Sequence, residues 1–305
     1  MSASNGRMIT VLKPGPLALV VDLGRPGNAH LGVPPAGALD VPALRLANRL
    51  VGNPESAAGL ELLLGQAELR AETSCELAVT GPPTPVRVTA SDSSRQSRSG
   101  AASSHRCLHL EPGDVLAIAA PRSGLRNYVG LAGGVDVEPV MGSRSADVLS
   151  GLGPPPLRAG ERLPLGPAPG LPPASGVVPV SEVPAQASVA VMLGPRHDWF
   201  TDLTGMLRTS TWDVSPSSNR IGVRLAGPAL ARQPEYRDRE LPSEPMLTGS
   251  IQVPPDGQPM IFLADHPTTG GYPVLGVVLP DDLPVLAQAR PGTTVRLRPV
   301  GSAGV

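Results

Sequence analysis

The chain of 305 residues contains a single lysine, Lys13, and no run of basic residues. Its formal net charge is −1, so it lacks the positive surface with which proteins bind nucleic acid. Lys13 lies in VLKPG, without the glycines of a Walker-type phosphate loop or the flanking methionines of a biotin-carrier segment. The composition therefore argues against a nucleic-acid partner, a Walker-type ATP site and biotin attached to this chain.

Cysteine and long apolar runs are also scarce. The two cysteines, Cys75 and Cys107, are too few for a disulfide framework in a chain of this length. No stretch approaches about 18 uninterrupted apolar residues, and the N-terminal segment lacks the apolar core of a secretory signal. We therefore expect a cytoplasmic, reduced protein with no membrane partner.

Long helices are excluded because glycine and proline supply 35 and 38 residues and interrupt the chain too often. Such a composition favours short strands joined by turns. Apolar segments of strand length occur at 76–80, 115–120, 127–133, 188–193, 260–265 and 293–299. We predict a mainly β fold with a few short helices.

Three segments have helical patterns. In 41–51 apolar residues recur at helical spacing, Asp40 can cap the first turn, and Gly52 can end the helix. A second helix is expected at 283–290 and a third after Asp198.

The chain is roughly twice the commonest domain length, which favours two lobes. The segment 153–184 is rich in proline and suits a connector, and 91–104 is rich in serine and arginine and suits an exposed, mobile loop. We divide the chain into a lobe at 1–165, a linker at 166–186 and a lobe at 187–305.

Three residue types that bind metals alternate in HRCLH, at His105, Cys107 and His109. Alternate residues of a strand share a face but lie roughly 6.6 Å apart, too far for one zinc ion to bind all three without a bend. We predict no metal site and place these residues on a solvent-facing or edge strand.

The segment 22–40 places charged and titratable groups on a stiff backbone rich in glycine and proline. Asp22 and Arg25 can form an ion pair that orients a substrate, and His30 can act as an acid or base near neutral pH. An ordinary turn held by bonds from Asp22 to the backbone explains the same pattern equally well.

The segment LADHPTTGGYP carries a carboxylate, two hydroxyls, a glycine pair and a phenol, at Asp265, Thr268, Thr269, Gly270, Gly271 and Tyr272. Paired glycines let backbone N–H groups approach an anion, as in an oxyanion hole. The alternative is a tight hairpin between the two flanking strands.

In MGSRSAD, Arg144 and Asp147 lie within two positions of a serine hydroxyl, at Ser143 or Ser145. Arg144 can receive a carboxylate or phosphate through two hydrogen bonds, or it can brace the loop together with Asp147.

Five ordered segments carry a resemblance that spans nearly the whole chain: DLGRPGNAHLGVPPAGALDVPALRLANRLVGNP, RNYVGLAGGVDVEPVMGSRSADVLSGLG, SSNRIGVRLAGPAL, LPSEPMLTGSIQVPPDGQPMIFLAD and TTGGYP. They resemble the biotin-dependent carboxyltransferase, or allophanate hydrolase subunit 2, family. This family includes the KipA and PxpC proteins and part of the urea carboxylase carboxyltransferase domain.

The resemblance implies two cyclophilin-like β-barrel lobes and a KipI-like or PxpB-like partner subunit. The commonest role it implies is in an ATP-dependent 5-oxoprolinase, which opens a lactam to glutamate with a further PxpA-like subunit. The ATP site of such a complex is not placed by the sequence. Alternatives are carboxyl transfer from carboxybiotin to urea or a related amide, and regulation through capture of a kinase inhibitor, because one fold serves several activities.

Carried over residue by residue, the resemblance implies two groups of site residues. The candidate catalytic residues are Asp22, Arg25, His30 and Asp265. The candidate substrate-binding or anion-binding residues are Arg144, Asp147, Asn219, Arg220, Thr269, Gly270, Gly271 and Tyr272. Thr268 is added to them for its hydroxyl donor and not from the resemblance. The chain departs from the family pattern at His266 and Pro267, where relatives usually carry Arg and Gln, and this argues against a direct polar role at those two positions.

Overall fold

The computed structural model describes residues 6–92, 100–168 and 175–301, and the chain divides into two compact units. The first unit comprises the described residues of 1–25, 40–147 and 151–183, and the second those of 26–39, 148–150 and 184–305. The expected division placed 26–39 and 148–150 outside the C-terminal lobe, whereas both segments belong to the second unit.

The first unit is built from two antiparallel sheets. Its strands are β1 (Met8–Lys13), β2 (Leu17–Val21), β3 (Gly59–Leu63), β4 (Ala67–Ala71), β5 (Cys75–Thr80), β6 (Pro85–Thr89), β7 (Gly100–Ser103), β8 (Cys107–Leu110), β9 (Val115–Ile118), β10 (Arg126–Leu131) and β11 (Arg162–Pro164). A six-stranded sheet has the order β11-β1-β4-β9-β6-β7, and a five-stranded sheet has the order β2-β3-β10-β5-β8. Leu69 and Leu116 of the larger sheet share one core with Leu62 and Leu77 of the smaller sheet.

Helix α1 (Val41–Leu50) lies where the sequence pattern predicts it. The Asp40 carboxylate accepts a hydrogen bond from the backbone N–H of Ala43 at 3.1 Å, which satisfies a donor that the first turn leaves free. Leu44 and Ala47 are fully buried on the opposite side of the helix from its exposed charges.

The second unit contains a closed barrel. Its strands are β12 (Gln186–Leu193), β13 (Trp212–Val214), β14 (Gly222–Ala226), β15 (Glu244–Pro245), β16 (Ser250–Gln252), β17 (Met260–Phe262), β18 (Thr269–Gly270), β19 (Val274–Val278) and β20 (Thr294–Val300). The barrel order is β12-β19-β16-β17-β14-β13-β20, and β15 and β18 form a separate two-stranded ribbon. Parallel pairing of β12 with β20 closes the barrel. Both tryptophans, Trp199 and Trp212, lie in its core.

The predicted fold class is confirmed: the chain is mainly β, with a closed seven-stranded barrel, additional sheets and three short α-helices in the described residues. Helix α2 (Leu203–Thr209) follows Asp198 as expected. Helix α3 (Leu283–Ala287) is shorter than predicted, and its preceding Asp282 accepts a hydrogen bond from Ala190 N at 2.6 Å instead of capping the helix.

One expected loop and one expected connector contain strands. Within 91–104, β7 pairs with β6, so that segment is not a loop throughout; residues 93–99 lie outside the described part. Within the proline-rich stretch 153–184, β11 pairs with β1, which makes that part a sheet edge of the first unit. Residues 169–174 also lie outside the described part.

The three potential metal ligands of HRCLH do not share one face. Cys107 and His109 lie on β8, at the edge of the five-stranded sheet as expected, whereas buried His105 precedes the strand with φ of 63°. His109 contacts Glu76 and Glu111, each at 3.2 Å. Within the ranges that the structure describes, no group of three or more metal-binding side chains is arranged to hold an ion. No helix in those ranges is long and apolar enough to cross a bilayer.

Both thiols should react slowly in the folded chain. Burial raises the pKa of Cys75 and of Cys107 to about 11, so the reactive thiolate is scarce at pH 8. We expect the native chain to react with Ellman's reagent roughly 100-fold more slowly than the chain in guanidinium chloride. A native thiol that reacts at the denatured rate contradicts this expectation.

Candidate functional site

Asp22 organises one polar cluster of the first unit. Its carboxylate accepts hydrogen bonds from the hydroxyls of Ser143 at 2.6 Å and Ser145 at 2.7 Å. It also accepts from the backbone N–H groups of Gly24 and Arg144, each at 2.7 Å. Because three of these four bonds join the end of β2 to a loop more than 120 residues later, Asp22 fixes the shape of the 143–145 loop.

Arg25 reaches the same loop through its own contacts. Its guanidinium donates to the carbonyl oxygens of Val140, at 3.3 Å, and Ser145, and the residue is 2% exposed. Asp22 and Arg25 therefore each hold the same loop through bonds of their own. These contacts suit a positioning role for both side chains.

The charged side chain of Arg144 is partly exposed to solvent, whereas Asp22 and Arg25 are buried. Its Nε donates to Val137 O at 2.7 Å, and its terminal nitrogen pairs with Asp136 at 2.7 Å, with a side chain 36% exposed. Asp147 is buried, and its backbone bonds to Leu152 and Gly151 close the adjacent turn. Of the two residues, Arg144 is the better placed to meet an anion.

A buried ion pair between Arg220 and Asp265 forms the centre of the second unit's candidate site. Nε and a terminal nitrogen of Arg220 each donate to one carboxylate oxygen of Asp265 at 2.9 Å, and the side chains are 3% and 0% exposed. Arg220 also donates to Gly37 O at 2.8 Å, and Asp265 accepts from Val148 N at 3.1 Å. The pair thereby binds the segments 26–39 and 148–150 to the barrel.

The turn after Asp265 is not the tight hairpin that the alternative interpretation predicted, because β17 and β19 each pair with β16. Thr269 and Gly270 instead form β18, opposite β15. Thr269 and Tyr272 are exposed, which leaves a hydroxyl and a phenol accessible at this turn. The turn therefore offers donors to a ligand through side chains.

Gly270 and Gly271 differ in the space that surrounds them. A Cβ at Gly270 would lie 2.5 Å from Nε2 of Gln252, whereas the nearest atom to a Cβ at Gly271 is Leu241 O at 3.5 Å. The Gln252 amide donates to Tyr272 O at 3.2 Å, so a side chain at Gly270 must displace that bond.

Gly270→Ala should therefore lower the free energy of unfolding by about 1 kcal/mol, the contribution of one hydrogen bond. Gly271→Ala, the matched control, should change it by less than about 0.5 kcal/mol. Urea unfolding followed by tryptophan fluorescence compares the two variants. Equal losses would mean that the contact with Gln252 does not limit the turn.

The remaining candidates have local contacts. His30 is exposed in a single 3-10 turn, Ala29–Leu31, with Nδ1 3.2 Å from Gly27 O. Asn219 accepts from the backbone N–H of Ile221 at 2.8 Å and so shapes the turn before Arg220 reaches Asp265. The structure thus gathers Asp22, Arg25 and Arg144 in the first unit, and Arg220 with Asp265 in the second.

Sequence reasoning missed the roles of Ser143, Ser145 and Gln252. The serines flank Arg144 at alternate positions, and this spacing lets both hydroxyls reach one carboxylate. Gln252 follows an apolar strand pattern in SIQVPP, and a polar residue at a strand end next to prolines gives no signal of its contact with Tyr272.

The family described as carboxyltransferase domain, subdomain A and B, matches residues 31–299. The chain belongs to this family. The resemblance read from the sequence motifs is thereby confirmed. Within the carboxyltransferase domain family, the chain is 36% identical over 285 residues to the 5-oxoprolinase C-subunit of Escherichia coli (strain K12), covering 92% of this chain and 87% of that protein.

Two further proteins are similar to nearly the whole chain. Identity to the 5-oxoprolinase C-subunit of Haemophilus influenzae is 29% over 303 residues, covering 96% of this chain and 91% of that protein. The crystal structure of the K. lactis urea amidolyase matches 98% of this chain with a TM-score of 0.88 at 27% identity. The chain spans 19% of that larger protein.

Proposed function

We propose that this chain is the PxpC-like or KipA-like component of a 5-oxoprolinase that opens the lactam ring of 5-oxoproline to glutamate with hydrolysis of ATP. The observation that carries the proposal is the 36% identity to the E. coli 5-oxoprolinase C-subunit across 92% of this chain. In this reaction the lactam C–N bond breaks, one water supplies oxygen to the new carboxylate, and a second water takes part in cleavage of ATP to ADP and phosphate.

The proposed enzyme is a complex. The partner is a KipI-like or PxpB-like subunit, with a PxpA-like subunit as a third component, and the chain alone is inactive. Exposed apolar side chains of the second unit support burial against a partner: Leu31 is 60% exposed, Leu247 63% and Tyr272 45%.

The site residues divide by accessibility. The buried Asp22, Arg25 and Asp265 hold the loops in place. Arg144 of the first unit and, separately, Thr269 and Tyr272 of the second unit each present groups that can bind a carboxylate such as that of 5-oxoproline. ATP, if it contacts this chain, must bind through arginine and backbone donors, since Lys13 is the only lysine.

The test is reconstitution. The chain should co-purify with its KipI-like partner, and the complete set of subunits with ATP and 5-oxoproline should release glutamate and ADP. Omitting this chain is the control. A complete set of folded subunits that releases no glutamate rules out the proposed activity.

A second candidate, carboxyl transfer from carboxybiotin to urea or a related amide, is favoured by the TM-score of 0.88 to urea amidolyase. The two reactions differ in their requirement for bicarbonate and a biotin carrier. Product formation from urea that depends on both, with none from 5-oxoproline, would establish the second candidate.

A further inference from the structure

The six-stranded sheet of the first unit carries a row of residues that lie directly opposite one another on five neighbouring strands. Lys13 of β1 opposes Glu68 of β4, which opposes Ala117 of β9. Ala117 also opposes Arg87 of β6, which opposes Ala101 of β7. Directly opposed residues point to the same side of a sheet. Because the chain neighbours of this row on β4 and β9 lie in the core, the row itself faces solvent.

A β-bulge brings the only lysine of the chain into this row. Val11 opposes Leu69, and the register then shifts by one residue so that Lys13 opposes Glu68. In a regular strand Lys13 would point to the core side of the sheet, since side chains alternate between the two faces. The bulge therefore places a cation beside a carboxylate on the outward face.

The three charged residues of the row, Lys13, Glu68 and Arg87, line one open cavity of about 450 Å³. This volume lies in the range of small-molecule sites, about 300–1,000 Å³. Ala117 stands between Glu68 and Arg87, and its short side chain keeps the floor of the cavity low. Neighbouring strands lie about 4.8 Å apart, so the Cα atoms of Lys13 and Arg87 are roughly 14 Å apart. Their long side chains can therefore meet a small molecule from two sides.

The charges of this cavity are unpaired within the part of the chain that the structure describes. No residue there forms an ion pair or a side-chain hydrogen bond with Lys13, Glu68 or Arg87. Lys13 and Arg87 are exposed, and Glu68 is half-buried. A ligand that pairs with all three must offer two anionic groups and one cationic group.

We propose that this cavity binds a dicarboxylic α-amino acid, with glutamate as the ligand. Glu68 receives the ammonium group, and Lys13 and Arg87 each receive one carboxylate, for which a guanidinium can supply two parallel hydrogen bonds. The proposal goes beyond the proposed function, in which glutamate is the product. It holds whether or not the chain takes part in that reaction, because it concerns binding to the first unit alone.

Isothermal titration calorimetry of the full chain with glutamate, glutarate and glutamine tests the charge pattern. Glutarate lacks the ammonium group, and glutamine lacks the second carboxylate. Each should bind about fivefold more weakly than glutamate, which is the upper range for the loss of one exposed ion pair.

Variants assign each contact to its residue. Glu68→Gln should remove the preference for glutamate over glutarate, and Arg87→Gln should weaken glutamate binding about fivefold. Arg162→Gln is the matched control: Arg162 is exposed on β11 of the same sheet and does not line the cavity, so binding should stay unchanged. Circular dichroism should show all three variants folded, since none of the replaced side chains is in the core.

Acetylation of Lys13 gives a second readout, because a chain with one lysine has one side-chain amine to label. Mass spectrometry of the peptide that contains Lys13 should show acetylation slowed about fivefold by saturating glutamate. Glutamine at the same concentration should protect the amine less.

The proposal is overturned if glutamate produces neither heat nor protection of Lys13 up to about 10 mM. It is also overturned if the three ligands bind alike, or if Glu68→Gln retains the preference for glutamate. Glutamate binding that leaves the acetylation of Lys13 unchanged would place the ligand elsewhere and overturn this site. None of these measurements uses turnover of 5-oxoproline, so their failure leaves the proposed function intact, and failure of the reconstitution leaves this proposal intact.

Discussion

Replacing Asp265 by Asn should destabilise the second unit by about 3–5 kcal/mol, because the Arg220 guanidinium then stays charged in a buried position without its partner. Asn keeps the shape of the side chain but provides one oxygen acceptor where the carboxylate provides two. Urea unfolding followed by tryptophan fluorescence reads this unit selectively, since Trp199 and Trp212 both lie in it.

Asp213→Asn is the control for the Asp265 variant. Asp213 is exposed in the same unit and accepts a hydrogen bond from the Thr294 hydroxyl at 2.9 Å, so its loss should cost less than about 1 kcal/mol. A double variant, Asp265→Leu with Arg220→Met, should be more stable than Asp265→Asn because no buried charge remains. A loss below about 1 kcal/mol in Asp265→Asn would show that water reaches Arg220 in the variant.

The local features of this fold could be predicted from the sequence. Asp40 caps the helix that begins at the next residue, and the bond that it makes reaches only to Ala43. The strands predicted at 76–80 and 115–120 lie within two residues of their expected ends because each pattern depends on its own side chains. Signals of this kind are contained within one segment.

The candidate site residues, in contrast, are held by contacts between residues that lie far apart in the sequence. Asp22 and Ser145 are 123 positions apart, and Arg220 and Gly37 are 183 positions apart. Sequence patterns therefore identified several of these residues as site candidates but did not show which of them bond to each other. The sequence also failed to show that 26–39 belongs to the second unit, because that assignment depends on long-range bonds too. Its Ala36 N–H bonds to Ala264 O and its Gly37 carbonyl to Arg220, and neither bond leaves a pattern within the segment itself.

The departure at 266 and 267 shows a different limit. Comparison with the family pattern discounted a polar role there because Arg and Gln were missing. The structure shows that Pro267 contributes its carbonyl oxygen, which fixes the proton on Nδ1 of His266. This contact is made by a backbone oxygen, so the side chains at 266 and 267 do not reveal it.

Asp22→Ala should destabilise the first unit by more than about 3 kcal/mol. The carboxylate accepts four hydrogen bonds, and its removal leaves the Ser143 and Ser145 hydroxyls and two backbone N–H groups without their acceptor. Each unsatisfied buried donor costs about 1–3 kcal/mol, and the exposed part of the loop recovers some of this by binding water.

Hydrogen exchange measured by mass spectrometry locates this effect, since the first unit contains no tryptophan. We expect faster exchange in a peptide spanning 140–147, where Asp22 anchors the loop, and a lower urea midpoint by circular dichroism. Glu55→Ala, which removes exposed ion pairs with Arg45 and Arg49 in the same unit, should cost less than about 1 kcal/mol. Equal losses of stability in Asp22→Ala and Glu55→Ala would contradict this prediction and would mean that the carbonyl contacts of Arg25 hold the loop.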